Sequence, residues 1–138
     1  MRVYLDSSAL IKRSVAEAES DALETAIGGH LDAEHVAASS SLAWIEVSRA
    51  LRGRFDNGTG DEAIRLAIDA AVSGVAEHLI TAEVIGLAKR IGPTRLRTLD
   101  AIHLATAVLL DADLVVAYDD RLLDACRKNG LAVATPGR

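Results

Sequence analysis

Short apolar runs alternate with helical segments along this 138-residue chain, and the alternation constrains the fold more than any other feature. Runs such as Val3-Tyr4-Leu5 and Leu114-Val115-Val116-Ala117 have the length and the β-branched content of buried strands. The segments between such runs carry apolar residues at helical spacing. Strands that alternate with helices are typical of an α/β domain with a mainly parallel sheet, which is the fold class that the sequence predicts.

The same pattern predicts a series of strands and helices separated by turn-forming residues. Strands are expected at residues 2–6, 35–39, 76–80, 113–117 and 131–134. Helices are expected at about residues 8–13, 17–27, 41–53, 61–73, 82–91, 98–111 and 120–128. Breaks or loops are expected at Gly28-Gly29, Asn57-Gly58-Thr59-Gly60 and Gly92-Pro93. No interdomain linker interrupts the series, so residues 1–138 are expected to form a single domain.

The composition excludes several classes of protein. Half of the residues are hydrophobic and 25% are charged, which is typical of a folded chain rather than a disordered one. The N-terminus lacks the apolar stretch of a signal peptide, and no apolar run approaches membrane-spanning length. The single cysteine, Cys126, cannot form an intrachain disulfide, which fits a reducing compartment. We therefore expect a cytoplasmic protein that is not bound to a membrane.

Four acidic residues fit poorly as solvated surface charges: Asp6, Glu46, Asp100 and Asp119. Two of them, Asp6 and Asp119, lie at or just beyond the carboxyl ends of predicted strands, which is where ligands bind in open α/β sheets. The other two interrupt or open apolar helices. A fold that gathers all four would form a pocket lined by carboxylates, which is hard to sustain without a divalent cation. Oxygen ligands suit Mg²⁺ or Mn²⁺.

Asp6 and Glu46 each have a structural alternative to a role in such a site. Asp6 is either a site residue or the N-cap of the next helix, although the serines that follow it also offer capping oxygens. Glu46 shares a helical face with small apolar residues, Ala43, Val47 and Ala50. It is either a site residue or a boundary residue paired with one of the nearby arginines, Arg49 or Arg52.

Asp100 and Asp119 have structural alternatives as well. With Thr98 as a plausible N-cap, Asp100 would sit in the first helical turn, where it interacts favourably with the helix dipole. Asp119 and Asp120 form a pair of which one is expected to cap the following helix. Because Asp119 is nearer the strand end, Asp120 is the better candidate for a cap or a surface charge. His103, on the same face as Asp100, is expected to be a hydrogen-bonded core residue rather than a metal ligand.

The remaining distinctive side chains favour structural roles. Trp44 and Tyr118 are expected to pack rather than to stack on bases, and Cys126 is expected to be a small core residue. Lys12 and Arg13 are expected to be solvated charges.

Four segments of the chain, in order, resemble the motifs of PIN-domain ribonucleases, especially the VapC toxins of bacterial and archaeal toxin–antitoxin pairs. The first two are VYLDSSALIK and SLAWIEVSRAL; the last two are LRTLDAIHLATA, which is the most specific, and LVVAYDDRLLDACRKNGL. The resemblance covers nearly the whole chain. One departure is Ala117, which lies two residues before Asp119, at a position where the family often has Thr or Ser.

The resemblance implies a three-layer α/β/α sandwich and endoribonuclease activity that depends on Mg²⁺ or Mn²⁺. It assigns the acidic cluster to Asp6, Glu46, Asp100 and Asp119. It also implies a homodimer and inhibition by a cognate VapB-like antitoxin. The net charge of −5 argues weakly against a nucleic-acid partner, but basic residues cluster locally. We expect RNA phosphates to contact a basic rim formed by Arg49, Arg52, Lys89 and Arg95.

Three rival hypotheses remain open. The first is a catalytically silent PIN-like module that acts by binding a protein partner. The second is a phosphoacceptor receiver domain, and the third is a metal-dependent phosphatase. Retention of all four acids argues against the silent module. A receiver domain would need an acidic pair after the first strand and a lysine after a late strand, and the sequence has neither.

Overall fold

The computed structural model describes residues 1–55, 58 and 60–138, which contain a five-stranded parallel sheet. The strands are β1 (Arg2–Leu5), β2 (Val36–Ser40), β3 (Val75–His78), β4 (Leu114–Val116) and β5 (Val133–Ala134). The helices are α1 (Ser7–Lys12), α2 (Ser20–Asp32), α3 (Ser41–Arg54), α4 (Asp61–Ala71), α5 (Ala82–Ala88), α6 (Thr98–Leu109) and α7 (Asp120–Lys128). Every pair of neighbouring strands is parallel, so the predicted fold class is confirmed.

The sheet separates two hydrophobic clusters, because successive side chains of a strand point to opposite faces. Val3 and Leu5 of β1 pack into a cluster formed with α1, α2, α3 and α4. Tyr4 points the other way, into a cluster formed with α6 and α7. The three layers form the α/β/α sandwich that the resemblance implied.

The strand order β3-β2-β1-β4-β5 creates a topological switch point between β1 and β4. The chain builds the sheet outward from β1 to β3 and then returns to the other side of β1. In such sheets a crevice opens beyond the carboxyl ends of the two strands at the switch, and ligands bind there. The loops after the two strands are tied together, since the Tyr118 amide donates to the Ser8 hydroxyl at 3.0 Å. The switch point thus brings the segments of Asp6 and Asp119 together.

The predicted break at Gly28-Gly29 is wrong, because both glycines lie inside α2. Two glycines cost a helix about 1 kcal/mol each relative to alanine. Burial of Leu23 and Ile27 on the same helix offsets that cost. The chain leaves the helical conformation only after Asp32, and Glu34 adopts a positive φ of 60°.

Several helix ends also differ from the prediction. Helices α4 and α5 end at Ala71 and Ala88, before the predicted residues 73 and 91. Thr98 is not an N-cap: it is the first residue of α6, and the N-cap position belongs to Arg97, whose side chain makes no capping bond. Of the predicted loop at 57–60, Asn57 and Thr59 lie outside the described residues.

Lys12 and Arg13 are not solvated, contrary to prediction. The Lys12 side chain is 12% exposed, donates to Glu17 at 2.6 Å and to Glu19 at 3.3 Å, and lies 4.7 Å above the Tyr118 ring. Arg13 is 8% exposed and pairs with Glu24 at 2.9 Å. Arg13, the C-cap of α1, also donates to the backbone carbonyls of Ala71 at 2.9 Å and Ser73 at 2.7 Å, at the end of α4.

The other predicted packing residues behave as expected. Tyr118 and Cys126 are buried, and Trp44 packs against the first cluster. None of the helices in the described ranges is long and apolar enough to cross a bilayer.

Candidate active site

Asp6 is both the N-cap of α1 and a buried carboxylate at the switch point. It is 3% exposed, and its Oδ1 accepts the Ala9 amide at 3.0 Å and the Ser8 hydroxyl at 2.6 Å. Burial raises the pKa of Asp6 to about 6, although the Ser8 hydrogen bond opposes the shift. The expectation that the serines would relieve Asp6 of capping is wrong, since Ser8 donates to Asp6 instead.

Asp119 occupies the corresponding place after β4. Its Oδ1 accepts the amides of Arg121 at 2.9 Å and Leu122 at 3.1 Å, so Asp119 is the N-cap of α7. Asp120 pairs with Arg138 at 2.7 Å on the surface. The expected division is therefore only half right: Asp120 is the surface charge, and Asp119, not Asp120, is the cap.

Glu46 lies on α3 and reaches across to α6. Its Oε1 accepts the Ser7 hydroxyl at 3.0 Å and contacts His103 Nε2 at 2.6 Å. The alternative role, a pairing with Arg49 or Arg52, is not observed, because both arginines are exposed while Glu46 turns inward. Ala50 is exposed too, so only part of the predicted apolar face is buried. His103 is the hydrogen-bonded core residue that the sequence predicted.

Asp100 lies in the first turn of α6 and is half-buried. Burial raises the pKa of Asp100, and the negative charges of Asp119 and Glu46 raise it further. Asp119 also raises the pKa of Asp6. The four predicted acids therefore lie within electrostatic range of one another and share an excess of negative charge.

In three of these carboxylates, one oxygen accepts all of the side chain's hydrogen bonds and the other accepts none of them. Both hydrogen bonds of Asp6 end on Oδ1, both of Asp119 end on Oδ1, and both of Glu46 end on Oε1. A structural role and a ligand-binding role are therefore compatible in one side chain. Within the described ranges no three His, Cys, Asp or Glu side chains are already arranged to hold one ion.

Two arginines beside the site are not among the residues predicted for the basic rim. Arg97 and Arg121 line a depression together with Asp119 and Asp120, and Arg121 also borders the next depression beside Arg95. The available signal was their place in the chain, three residues before Asp100 and two after Asp119.

The four basic residues expected in the rim are all exposed: Arg49, Arg52, Lys89 and Arg95. Of these, Arg95 lies beside Arg121 at the site's margin. Lys89 borders a separate groove between α5 and α6. Ser7 and Ser8, which hold two of the acids, were interpreted only as caps, although their position directly after Asp6 was visible.

Comparison with known proteins identifies the family. The family model described as PIN domain matches residues 3–128. The chain is 44% identical over 136 residues to Ribonuclease VapC46 of Mycobacterium tuberculosis, covering 97% of each protein. Its fold is similar to VapBC2 from Rickettsia felis bound to a promoter DNA fragment, with a TM-score of 0.73, 13% identity and coverage of 97% and 98%. It is also similar to Mycobacterium tuberculosis VapC20, a Sarcin-Ricin loop cleaving toxin, with a TM-score of 0.70, 17% identity and coverage of 89% and 94%. The chain therefore belongs to the PIN domain family and, within it, to the VapC proteins.

Proposed function

We propose that this protein is an endoribonuclease that acts as the toxin of a VapBC-type toxin–antitoxin pair. The observation that carries the proposal is the collection of four mutually interacting acids at the switch point of a parallel sheet. The likeness to a ribonuclease along nearly the full length of both chains supports the same reaction. The reaction is hydrolysis of an RNA phosphodiester bond.

We propose that Asp6, Glu46, Asp100 and Asp119 hold Mg²⁺ or Mn²⁺. The donor set fits such an ion, because it offers carboxylate oxygens and its one nearby histidine is engaged in the core. The raised pKa values of Asp6 and Asp100 reflect burial and crowded negative charge, and a bound divalent cation would stabilise the ionised form of both carboxyl groups. When bound, the ion would activate a water and neutralise charge on the phosphoryl oxygens.

The chain's own residues orient that site. Ser8 and the Ala9 amide fix Asp6, Ser7 and His103 fix Glu46, and the first turn of α7 fixes Asp119. Each carboxylate is held by one oxygen and presents the other.

We propose that Arg97 and Arg121 contact the RNA phosphates beside the acids, with Arg95 extending the same path. All three are exposed and line two adjacent depressions at the mouth of the site. Guanidinium groups suit phosphate contacts. Arg49, Arg52 and Lys89 remain candidates for a longer RNA footprint.

The proposal includes two protein partners: a VapB-like antitoxin and a second copy of the chain. The similarity to a VapBC assembly supports the antitoxin. The family resemblance supports the homodimer. Since cellular RNA is the proposed substrate, we place the activity in the cytoplasm.

The test is cleavage of total RNA by the purified, antitoxin-free protein in Mg²⁺, in Mn²⁺ and in EDTA. We expect discrete fragments that require the metal and vanish with Asp100→Asn. Mapping the fragment ends would identify the RNA. A folded dimer that cleaves nothing in either metal would favour the catalytically silent module instead.

A further inference from the structure

A buried chain of hydrogen bonds connects the core of one layer to the acidic site. The Tyr4 hydroxyl lies 2.6 Å from His103 Nδ1, and His103 Nε2 lies 2.6 Å from Glu46 Oε1. Tyr4 and His103 are 1% and 2% exposed. The three residues come from β1, α6 and α3, so the bonds join elements from all three layers of the sandwich.

The direction of the bonds follows from the groups involved. A carboxylate only accepts, so His103 Nε2 carries the proton that binds Glu46. With the ring proton on Nε2, Nδ1 of the neutral ring is an acceptor, and the Tyr4 hydroxyl lies 2.6 Å from it. The hydroxyl donates to Nδ1, which fixes the tautomer and the orientation of the ring.

Core packing does not by itself account for this arrangement. A polar pair buried among apolar side chains is costly unless its hydrogen bonds are made, and an apolar pair would fill the same volume. Here the polar pair ends on an acid of the proposed site. Ser7 donates to the same Oε1 from α1, so the second oxygen, Oε2, takes no part in either bond.

We propose that His103 is a positioning residue for Glu46, held in register by Tyr4, and that together they aim Oε2 at the bound cation. The inference rests on the proposed function, in which Glu46 is a ligand. Groups that orient a ligand typically change metal affinity by about 10- to 100-fold when they are removed.

The test is Mn²⁺ affinity, measured from the free-ion EPR signal in the absence of RNA. Tyr4→Phe deletes one oxygen and keeps the ring, so we expect a folded protein whose Mn²⁺ affinity falls about 10-fold. His103→Gln retains an amide donor near the place of Nε2, and it should bind Mn²⁺ better than His103→Leu. RNA cleavage by Tyr4→Phe should recover at high Mn²⁺, which would not happen if the site had collapsed.

Glu46→Gln separates this inference from the proposed function. If Tyr4 acts through Glu46, adding Tyr4→Phe to Glu46→Gln should weaken Mn²⁺ binding no further. Wild-type affinity in Tyr4→Phe, alongside impaired Glu46→Gln, would overturn the positioning role and leave the proposed function standing. Wild-type binding and cleavage by Glu46→Gln would instead refute Glu46 as a ligand. If His103→Leu fails to fold, Tyr4→Phe still decides.

Discussion

The four strands that lead into helices use two kinds of cap, and the kind depends on the strand's place in the sheet. After β2 and β3 the caps are hydroxyls, from Ser40 and Thr81. After β1 and β4, the strands at the switch point, the caps are carboxylates, from Asp6 and Asp119. Serine caps helices about as well as aspartate does, and threonine only somewhat less well. Capping therefore explains an oxygen at each position, but it does not explain the charge at two of them.

The cost of keeping Asp6 ionised exceeds the gain from capping a helix with a charge, which favours a functional origin for that charge. A carboxylate at a helix N-terminus gains about 0.3–1 kcal/mol from the helix dipole. Raising the pKa from 3.8 to about 6 corresponds to a penalty of about 3 kcal/mol for keeping Asp6 ionised. Burial outweighs the dipole, so the charge costs stability in the absence of a cation. The comparison predicts that the two kinds of cap respond differently to the same substitution.

The largest expected effect is on cleavage by Asp6→Asn. Asparagine caps as well as aspartate, so α1 should stay intact while RNA cleavage falls by at least about 100-fold, the loss typical of removing one group that stabilises transition-state charge. Single-turnover cleavage and circular dichroism would measure the two properties. Thr81→Asn is the matched control at a hydroxyl cap and should cleave at the wild-type rate. Substantial activity in Asp6→Asn would end the distinction between the caps.

Stability should depend on pH through Asp6. Because its folded pKa lies above the unfolded value, the folded state binds more protons between about pH 3.8 and 6, and stability falls as the pH rises through that window. In EDTA, the free energy of unfolding of Asp6→Asn relative to that of wild type should increase by up to about 3 kcal/mol from pH 4 to pH 7.5. Urea unfolding at both pH values measures the difference. If the two proteins differ in free energy of unfolding by the same amount at both pH values, the pKa of Asp6 is not raised in the folded state.

The next effect concerns the arginines beside the acids. Arg97→Gln and Arg121→Gln should each raise KM and leave kcat nearly unchanged, because phosphate contacts stabilise substrate and transition state alike. Each should also reduce the slope of log affinity against log salt by about 0.7. Arg65→Gln, an exposed charge on α4, is the control. If Arg49→Gln and Arg52→Gln raise KM and the other two variants do not, the RNA phosphates contact α3 rather than Arg97 and Arg121.

The smallest expected effect is that of placing a carboxylate at the N-cap that follows β3, where the native cap is a hydroxyl. Thr81→Asp keeps a cap on α5 and places the charge in solvent, so the free energy of unfolding should change by less than about 0.5 kcal/mol. RNA cleavage should not change. A loss of cleavage would show that the carboxyl end of β3 belongs to the site.

The sequence predicts those parts of the site that follow from the local pattern of strands and helices. Asp6 and Asp119 were placed correctly because strand ends can be recognised from apolar runs. The strand order was not readable, so the adjacency of β1 and β4 could not be derived from composition or periodicity. The Glu46–His103 contact joins residues 57 positions apart in different layers, and only the tertiary structure reveals it. The break at Gly28-Gly29 was wrong for a related reason, since packing overrode local propensity.

The most direct test of the account is Mn²⁺ binding to the RNA-free protein, compared across the caps. The free-ion EPR signal would be titrated for wild type, Asp6→Asn, Asp119→Asn and Thr81→Asn, each shown to be folded. The account predicts that wild type and Thr81→Asn bind Mn²⁺ alike and that both aspartate variants lose affinity. Equal binding by all four proteins would contradict it, because the carboxylates at the switch point would then be caps and nothing more.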